Sequence, residues 1–140
     1  MYLLAIIDLH SRYIVGWSLS NTMEASWVVD VLKEAVENHG KPEIINSDQG
    51  SQFTSEVYLE YVKSLETVSI SMGGKGRATD NAYIERFFRT LKYDRLYLIG
   101  VEDAHELFKE CRAFIHFYNN RREHSSLKYR TPNKVFMKAA

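Results

Sequence analysis

Apolar residues alternate along this chain between short continuous runs and helically spaced stripes. The segment 2–7 is continuously apolar, as in a strand buried on both faces, and 13–19 has the two-residue alternation of a strand. Together they predict an antiparallel hairpin. Shorter apolar runs at 43–47 and 68–72 predict two further strands.

Apolar positions three and four residues apart predict the helices. These cover 24–38, about 55–65, about 80–97 and about 103–119. The last of them is expected to face the core with Ala104, Leu107, Phe108, Cys111, Ile115 and Tyr118. Asn21 and Glu24 are placed as a capping pair before the first helix, and Thr131 and Pro132 are placed to start a short final one. This order predicts a mixed α/β layer fold.

The composition fits one domain spanning residues 1–140. Of the 140 residues 45% are hydrophobic, enough for one core and too few for two. No apolar run is long enough to cross a bilayer, and no signal peptide is recognisable, so a soluble cytoplasmic protein without a membrane partner is expected. Cys111 is the only cysteine, which excludes an intramolecular disulfide and suggests a buried thiol.

The net charge of zero hides an asymmetry between the two halves. Residues 1–72 carry four Lys and Arg against ten Asp and Glu, a balance of −6, whereas 73–140 carry fourteen against eight, a balance of +6. The second half, with its basic tail at 119–140, therefore suits contact with phosphates. Ordinary solvated helix faces produce the same asymmetry.

Two acids are candidates for chemistry. Asp48 follows the strand at 43–47, at the edge where open α/β sheets bind ligands. Glu85 shares a helix face with Arg89 and Lys92. Two carboxylates suffice for part of a Mg²⁺ site that processes phosphates. The alternative is a turn residue at Asp48 and a surface ion pair at Glu85.

Longer strings in the sequence are more specific than either acid. These are DLHSRYIVGW at 8–17, SDQGSQF at 47–53, DNAYIERFFRTLK at 80–92 and YNNRREHSSLKYRTP at 118–132. In this order they cover nearly the whole chain, which closely resembles the second protein of two-frame bacterial insertion sequences. Those proteins are transposases with a catalytic core of the retroviral-integrase type.

The resemblance implies a ribonuclease H-like fold, with a mixed sheet flanked by helices, and a triad of two aspartates and one glutamate that binds two Mg²⁺ or Mn²⁺ ions. By motif, Asp48 matches the second aspartate and Glu85 the glutamate. Asp80 and Asn81 match the pair expected to cap the glutamate helix. The side chains expected to contact DNA phosphates are Lys75, Arg77, Arg89 and Lys92.

The resemblance is incomplete at the front of the chain. The family's first aspartate lies in a Trp-x-x-Asp-Ile-Thr-Tyr strand that nothing here matches, so the central first strand is expected to be missing, along with any helix-turn-helix region. Two unpaired strand edges would result, filled by rearrangement, a second chain or an upstream segment. Asp8 is the tempting substitute for the aspartate, but it is expected to cap the hairpin turn instead.

The function implied by the resemblance is DNA transposition, in which a DNA 3′-hydroxyl attacks phosphodiesters, with impaired activity in this chain. Its expected partners are element ends, target DNA, and a second copy or a full-length transposase. One alternative is a non-catalytic remnant that binds DNA or the full-length transposase, and another is a plain metal-dependent nuclease. In the tail, Tyr129 and Pro132 are expected to pack, His124 to be structural, and the arginines to be exposed and to face phosphate.

Overall fold

The computed structural model describes residues 1–47, 50–72, 78–96, 100 and 102–139. Its strands are β1 (Tyr2–Ile7), β2 (Ile14–Ser20), β3 (Ile44–Ser47) and β4 (Ser69–Met72). Its α-helices are α1 (Ala25–His39), α2 (Ser51–Thr54), α3 (Glu56–Ser64), α4 (Ala78–Leu91), α5 (Ala104–Asn120) and α6 (Pro132–Ala139). A π-helical turn, Lys92–Leu96, follows α4, and a 3-10 turn, Ser125–Leu127, precedes α6.

The strands form two separate pairs. β1 pairs with β2, and β3 pairs in parallel with β4, from Ile44 opposite Ser69 to Ser47 opposite Met72. Within the described ranges, no strand pairing joins one pair to the other. The mixed α/β architecture is confirmed.

Two compact units make up the chain. The first contains residues 1–6 and 15–82, and the second contains 7–14 and 83–140. In the first unit, β1, α1 and α3 supply a buried core of Leu4, Val28, Val31, Leu32, Tyr58 and Val62. Gly16 allows β2 to lie close to α1, because a Cβ at this glycine would come within 3.2 Å of the Ala35 Cβ.

Aromatic rings from α4 and α5 form the centre of the second unit. Phe87 is 1% exposed, and its ring meets the Tyr118 ring edge to face at 5.0 Å and the Phe114 ring at 6.2 Å. Phe87 and Leu91 are the buried residues in the described part of α4, and the Phe87 contacts attach this face to the rings of α5.

The buried residues of α5 differ in part from the predicted inward stripe. Cys111, Ile115 and Tyr118 are buried as expected, but Phe108 is 46% exposed and Phe114 takes an inward position. The helix predicted at about 80–97 is α-helical to Leu91 and continues directly as the π-helical turn Lys92–Leu96, in agreement with the predicted end.

Side-chain caps define several helix starts. Ser55 and Asp103 accept hydrogen bonds from backbone N–H groups in the first turns of α3 and α5. Thr131 Oγ1 accepts from the Lys134 N–H at 3.3 Å, and Pro132 opens α6, which confirms the predicted start. The predicted Asn21 and Glu24 pair is wrong. Glu24 is itself the cap residue of α1 and makes no side-chain capping bond.

No helix in the described part of the chain is both long and apolar enough to cross a bilayer. In the tail, the packing predictions for Pro132 and Tyr129 have opposite outcomes. Pro132 is fully buried, whereas Tyr129 is 70% exposed, so the prediction for Tyr129 is wrong. Its backbone N–H is already bonded to the His124 carbonyl, which fixes the loop without burying the ring.

The Cys111 thiol should react slowly in the folded protein. Burial and the neighbouring Glu110 charge raise its pKa to about 11 from the ordinary 9.0, and its side chain is 1% exposed. At pH 8 the thiolate fraction should be about 100-fold below that of a free cysteine. Labelling by iodoacetamide should therefore be at least about 100-fold slower in buffer than in urea, and equal rates would contradict this burial.

Candidate metal and nucleic-acid site

The end of β3 is a polar position in the first unit. Ser47 is 9% exposed, and Asn46 Oδ1 is buried and has no hydrogen-bond partner within the described ranges. Tyr58 lies beside Ser47, and burial raises the pKa of its hydroxyl, an effect that the Ser47 side chain partly offsets. Phe53 packs edge to face on the Tyr58 ring at 5.5 Å. At this strand end, the packed rings of Phe53 and Tyr58 thus accompany an amide oxygen that has no hydrogen-bond partner within the described ranges.

Three predicted site residues, Asp48, Lys75 and Arg77, lie outside the described residues. The convergence of Asp48 with Glu85 thus stays a prediction. Within the first unit, β3 and β4 run parallel and end together, with Ser47 opposite Met72.

Glu85 lies on the solvent-exposed face of α4. Arg89 and Lys92 are exposed too, and their predicted grouping with Glu85 as a site stays a prediction. No hydrogen bond or ion pair joins the Glu85 carboxylate to another residue of the described part of the chain. The carboxylate is therefore available to a ligand.

Asp80 and Asn81 lie within the first turn of α4, which begins at Ala78, and not before it. The Asn81 side chain is half-buried. Their predicted role in ordering the preceding glycine-rich segment stays a prediction.

Each unit contains an oxygen donor of a type that Mg²⁺ accepts. In the first unit it is the buried Asn46 amide oxygen, which has no hydrogen-bond partner within the described ranges, and in the second unit it is the exposed Glu85 carboxylate. Among the residues that the structure describes, no three His, Cys, Asp or Glu side chains gather as a complete cage. A site that relies on few protein ligands and on water or substrate oxygens for the rest is compatible with this.

Asp8 caps the hairpin turn, as predicted. Its Oδ2 accepts hydrogen bonds from the Ser11 backbone N–H at 3.0 Å and the Ser11 hydroxyl at 2.5 Å. Ser11 is fully buried, and its oxygen also accepts from the Tyr13 N–H at 3.1 Å. The Asp8 carboxylate is thus occupied within the turn, in agreement with a structural role.

Charged pairs in the second unit hold the π-helical turn. Arg95 contacts Glu110 of α5 at 2.7 Å, and Arg122 contacts Asp94 at 3.2 Å. Both pairs are partly exposed, so each contributes little to stability. They fix the chain direction immediately after Lys92, the last of the cations predicted to contact DNA.

Asn119 makes a contact that the sequence pattern did not reveal. Its Oδ1 accepts from the Ile14 N–H at 2.8 Å, and its Nδ2 donates to the Ile14 carbonyl at 3.1 Å. Both residues are buried. The only sequence signal for this role was the presence of Asn119 in the string that carries the resemblance.

Comparison with known proteins identifies relatives over the whole chain. The family model described as integrase core domain matches residues 1–78, and a second model of the same description matches 66–132. The transposase of insertion sequence IS904 from Lactococcus lactis is 38% identical over 135 residues, which are 94% of this chain and 53% of that protein. The putative transposase InsK of IS150 from Escherichia coli is 34% identical and covers 98% and 50%. The chain therefore spans about half the length of these relatives.

Solved structures share the fold. The catalytic core of bovine immunodeficiency virus (BIV) integrase superposes with a TM-score of 0.78 at 18% identity, covering 98% of this chain and 86% of that one. The HTLV-2 integrase core, solved in complex with magnesium in a trimeric form, gives 0.75 at 18% identity, covering 96% and 83%. The predicted ribonuclease H-like fold of the integrase type is confirmed.

Proposed function

The chain belongs to the integrase core domain family, and on that basis we propose that it carries out the metal-dependent phosphodiester chemistry of an insertion-sequence transposase. The observation that carries the proposal is the exposed Glu85 carboxylate on α4, which has no partner within the described ranges and has Arg89 one turn further on. A surface acid left unpaired beside two cations suits a metal ligand next to a phosphate-binding face.

Each residue of the proposed site has a separate role. Asp48 and Glu85 hold Mg²⁺ or Mn²⁺, which when bound supplies polarisation of the attacking 3′-hydroxyl and stabilisation of the leaving oxygen. Arg89 and Lys92 hold the DNA backbone beside them, and Lys75 and Arg77 contact further phosphates. Asp80 and Asn81 steady the start of α4.

The names of the relatives support the choice of substrate. IS904 and IS150 proteins are transposases, and the HTLV-2 core was solved with magnesium. We propose that this chain likewise acts on DNA ends and target DNA. We further propose that it associates with itself or with a full-length transposase, and that it acts in the cytoplasm. Because the relatives are longer than this chain, the proposal includes contributions of further protein segments to this activity.

Mn²⁺ uptake and DNA nicking by the same protein sample test the proposal. Free Mn²⁺ is measured by electron paramagnetic resonance during titration of the chain, and nicking is followed on supercoiled plasmid with Mn²⁺, Mg²⁺ or EDTA. We expect saturable Mn²⁺ uptake and nicked circles that form only with metal. Retention of the plasmid on the protein with neither Mn²⁺ uptake nor nicking would contradict the proposal and favour a DNA-binding remnant.

A further inference from the structure

A small cavity in the second unit is distinct from the proposed metal site. It measures about 60 Å³, room for a few water molecules or one compact polyatomic anion. Its walls come from the hairpin turn, from α4 and from the segment that follows α5. We name it the arginine pocket, after the three guanidinium side chains in its lining, Arg12, Arg86 and Arg122.

The charges of the arginine pocket are not balanced internally. Its lining contains three arginines and no Asp or Glu. Arg122 reaches Asp94 at 3.2 Å outside the lining, while Arg12 donates to the Leu9 carbonyl and lies 3.7 Å above the Tyr83 ring. Arg86 has no ion pair with any residue that the structure describes. Two of the three guanidinium groups thus have no carboxylate partner among the described residues, so the described lining carries a net positive charge.

Tyr118 lines the pocket together with the three arginines. Burial raises its pKa, and Arg122, Arg12 and Arg86 each act in the opposite direction. Three arginines from separate parts of the chain therefore surround one cavity beside a buried tyrosine. The arrangement matches the planar, multidentate donors that recognise phosphate oxygens.

His124 provides a second and independent observation. Its Nε2 is buried and has no hydrogen-bond partner within the described ranges, although its ring packs edge to face on Tyr118 at 5.1 Å. Burial, Arg122 and Arg12 lower the pKa of this imidazole. A buried polar atom without a partner is uncommon, and a hydrogen-bonding ligand in the adjoining cavity would satisfy it.

The hairpin turn holds Arg12 in this position at a conformational cost. Arg12 has φ +66°, in the left-handed region that disfavours residues with a Cβ. The nearest acid of the turn, Asp8, is engaged by Ser11 and does not neutralise the guanidinium. Backbone strain of this kind persists where the surrounding structure uses the residue.

We propose that the arginine pocket binds a phosphate group of the DNA backbone, through Arg12, Arg86 and Arg122 with His124 as a further hydrogen-bonding group. The assignment to DNA rests on the proposed function, whereas the assignment to phosphate rests on the pocket alone. The pocket anchors the duplex by its backbone and does not read bases, because backbone contacts position a protein without specifying sequence.

Two binding measurements without metal test the proposal on the full chain. Inorganic phosphate is titrated while the imidazole resonances of His124, assigned with His124→Gln, are followed by NMR. A short duplex without terminal phosphates is titrated in EDTA at several salt concentrations. The test variant is Arg86→Gln, since Arg86 is exposed and makes no ion pair in the described part of the chain. Arg112→Gln on the exposed face of α5 is the control with the same charge change.

We expect phosphate to shift the His124 resonances saturably and to raise the pKa of this imidazole, because a bound anion offsets the adjacent guanidinium charges. Arg86→Gln should remove the shift, weaken duplex binding by about tenfold and lower the salt slope by about one. Arg86→Lys should recover part of the affinity, since it restores charge without the bidentate geometry. Arg112→Gln should change neither measurement by as much.

Three results would overturn the proposal. Equal duplex affinity for the Arg86 and Arg112 variants would remove the DNA contact. Loss of the phosphate-induced shift in Arg86→Gln with unchanged duplex affinity would make the pocket a site for free anions. Weakened duplex binding with no His124 shift in the parent would put the Arg86 contact outside the cavity. None of these outcomes depends on nicking, so failure of the proposed catalysis is recognised separately.

Discussion

Glu85→Gln should reduce metal-dependent nicking of DNA at least about 100-fold, a loss seen even for residues that only support a metal ligand. Glutamine keeps the shape of the side chain but removes the negative charge that attracts a divalent cation. Because Glu85 is exposed and has no partner within the described ranges, the substitution should leave the fold intact. The free energy of unfolding should stay within about 0.5 kcal/mol of the parent.

Mn²⁺ uptake gives the same test at the level of binding. Glu85→Gln and Asp48→Asn should each weaken Mn²⁺ uptake. If both acids hold the same ions, the double variant should bind little less Mn²⁺ than the single variant with the lower uptake. Glu60→Gln, an exposed acid on α3, is the matched control and should leave nicking and uptake unchanged. Equal nicking rates for Glu85→Gln and the parent would rule out the metal-ligand assignment.

Local features of the fold were predictable because the interactions that create them are local. The Asp8 cap joins residues three apart, and the α6 start joins Thr131 to Lys134, so each is written in a short stretch of sequence. Strand positions followed from short apolar runs in the same way. The motifs shared with the family then predicted the fold. Their order along the chain is specific to the family, although it does not reveal which residues contact each other.

The buried face of α4 could not be predicted from the sequence, for a physical reason. Tyr83, Ile84, Phe87, Phe88 and Leu91 cover more than one side of a helix, so periodicity alone allows two inward faces. The rings of α5 select one of these faces, because the Phe87 ring contacts both Phe114 and Tyr118. A helix face is thus selected by its partner when apolar residues are abundant.

The arginine pocket was hidden for a different reason. Arg12 and Arg122 are 110 positions apart in the sequence, and only the tertiary structure brings them to one cavity. The charge asymmetry predicted a phosphate-facing second half, yet the first residue of the pocket belongs to the acidic first half. Net charge by segment therefore pointed to the right class of partner and missed one of the residues concerned.

Asn119→Leu should destabilise the second unit strongly. Tyr13 accepts a hydrogen bond from the Asp8 N–H across the hairpin, so the next residue along the strand, Ile14, directs its backbone groups to the other side. The Asn119 amide satisfies both of these groups, at 2.8 and 3.1 Å. Leucine has nearly the same volume but leaves the buried N–H and carbonyl without partners, at a cost of about 2 to 5 kcal/mol.

Urea denaturation followed by circular dichroism measures this loss. Asn120→Leu is the matched control and should cost less than about 1 kcal/mol, because among the described residues the Asn120 side chain bonds to His116 of the same helix, with the carbonyl at 3.0 Å and the ring Nδ1 at 3.3 Å. Asn119→Asp keeps the acceptor but loses the donor and places a carboxylate oxygen against the Ile14 carbonyl. It should therefore be destabilised at neutral pH and partly recover as acid protonates the carboxylate. Parent-like stability of Asn119→Leu would mean that the amide does not hold this strand edge.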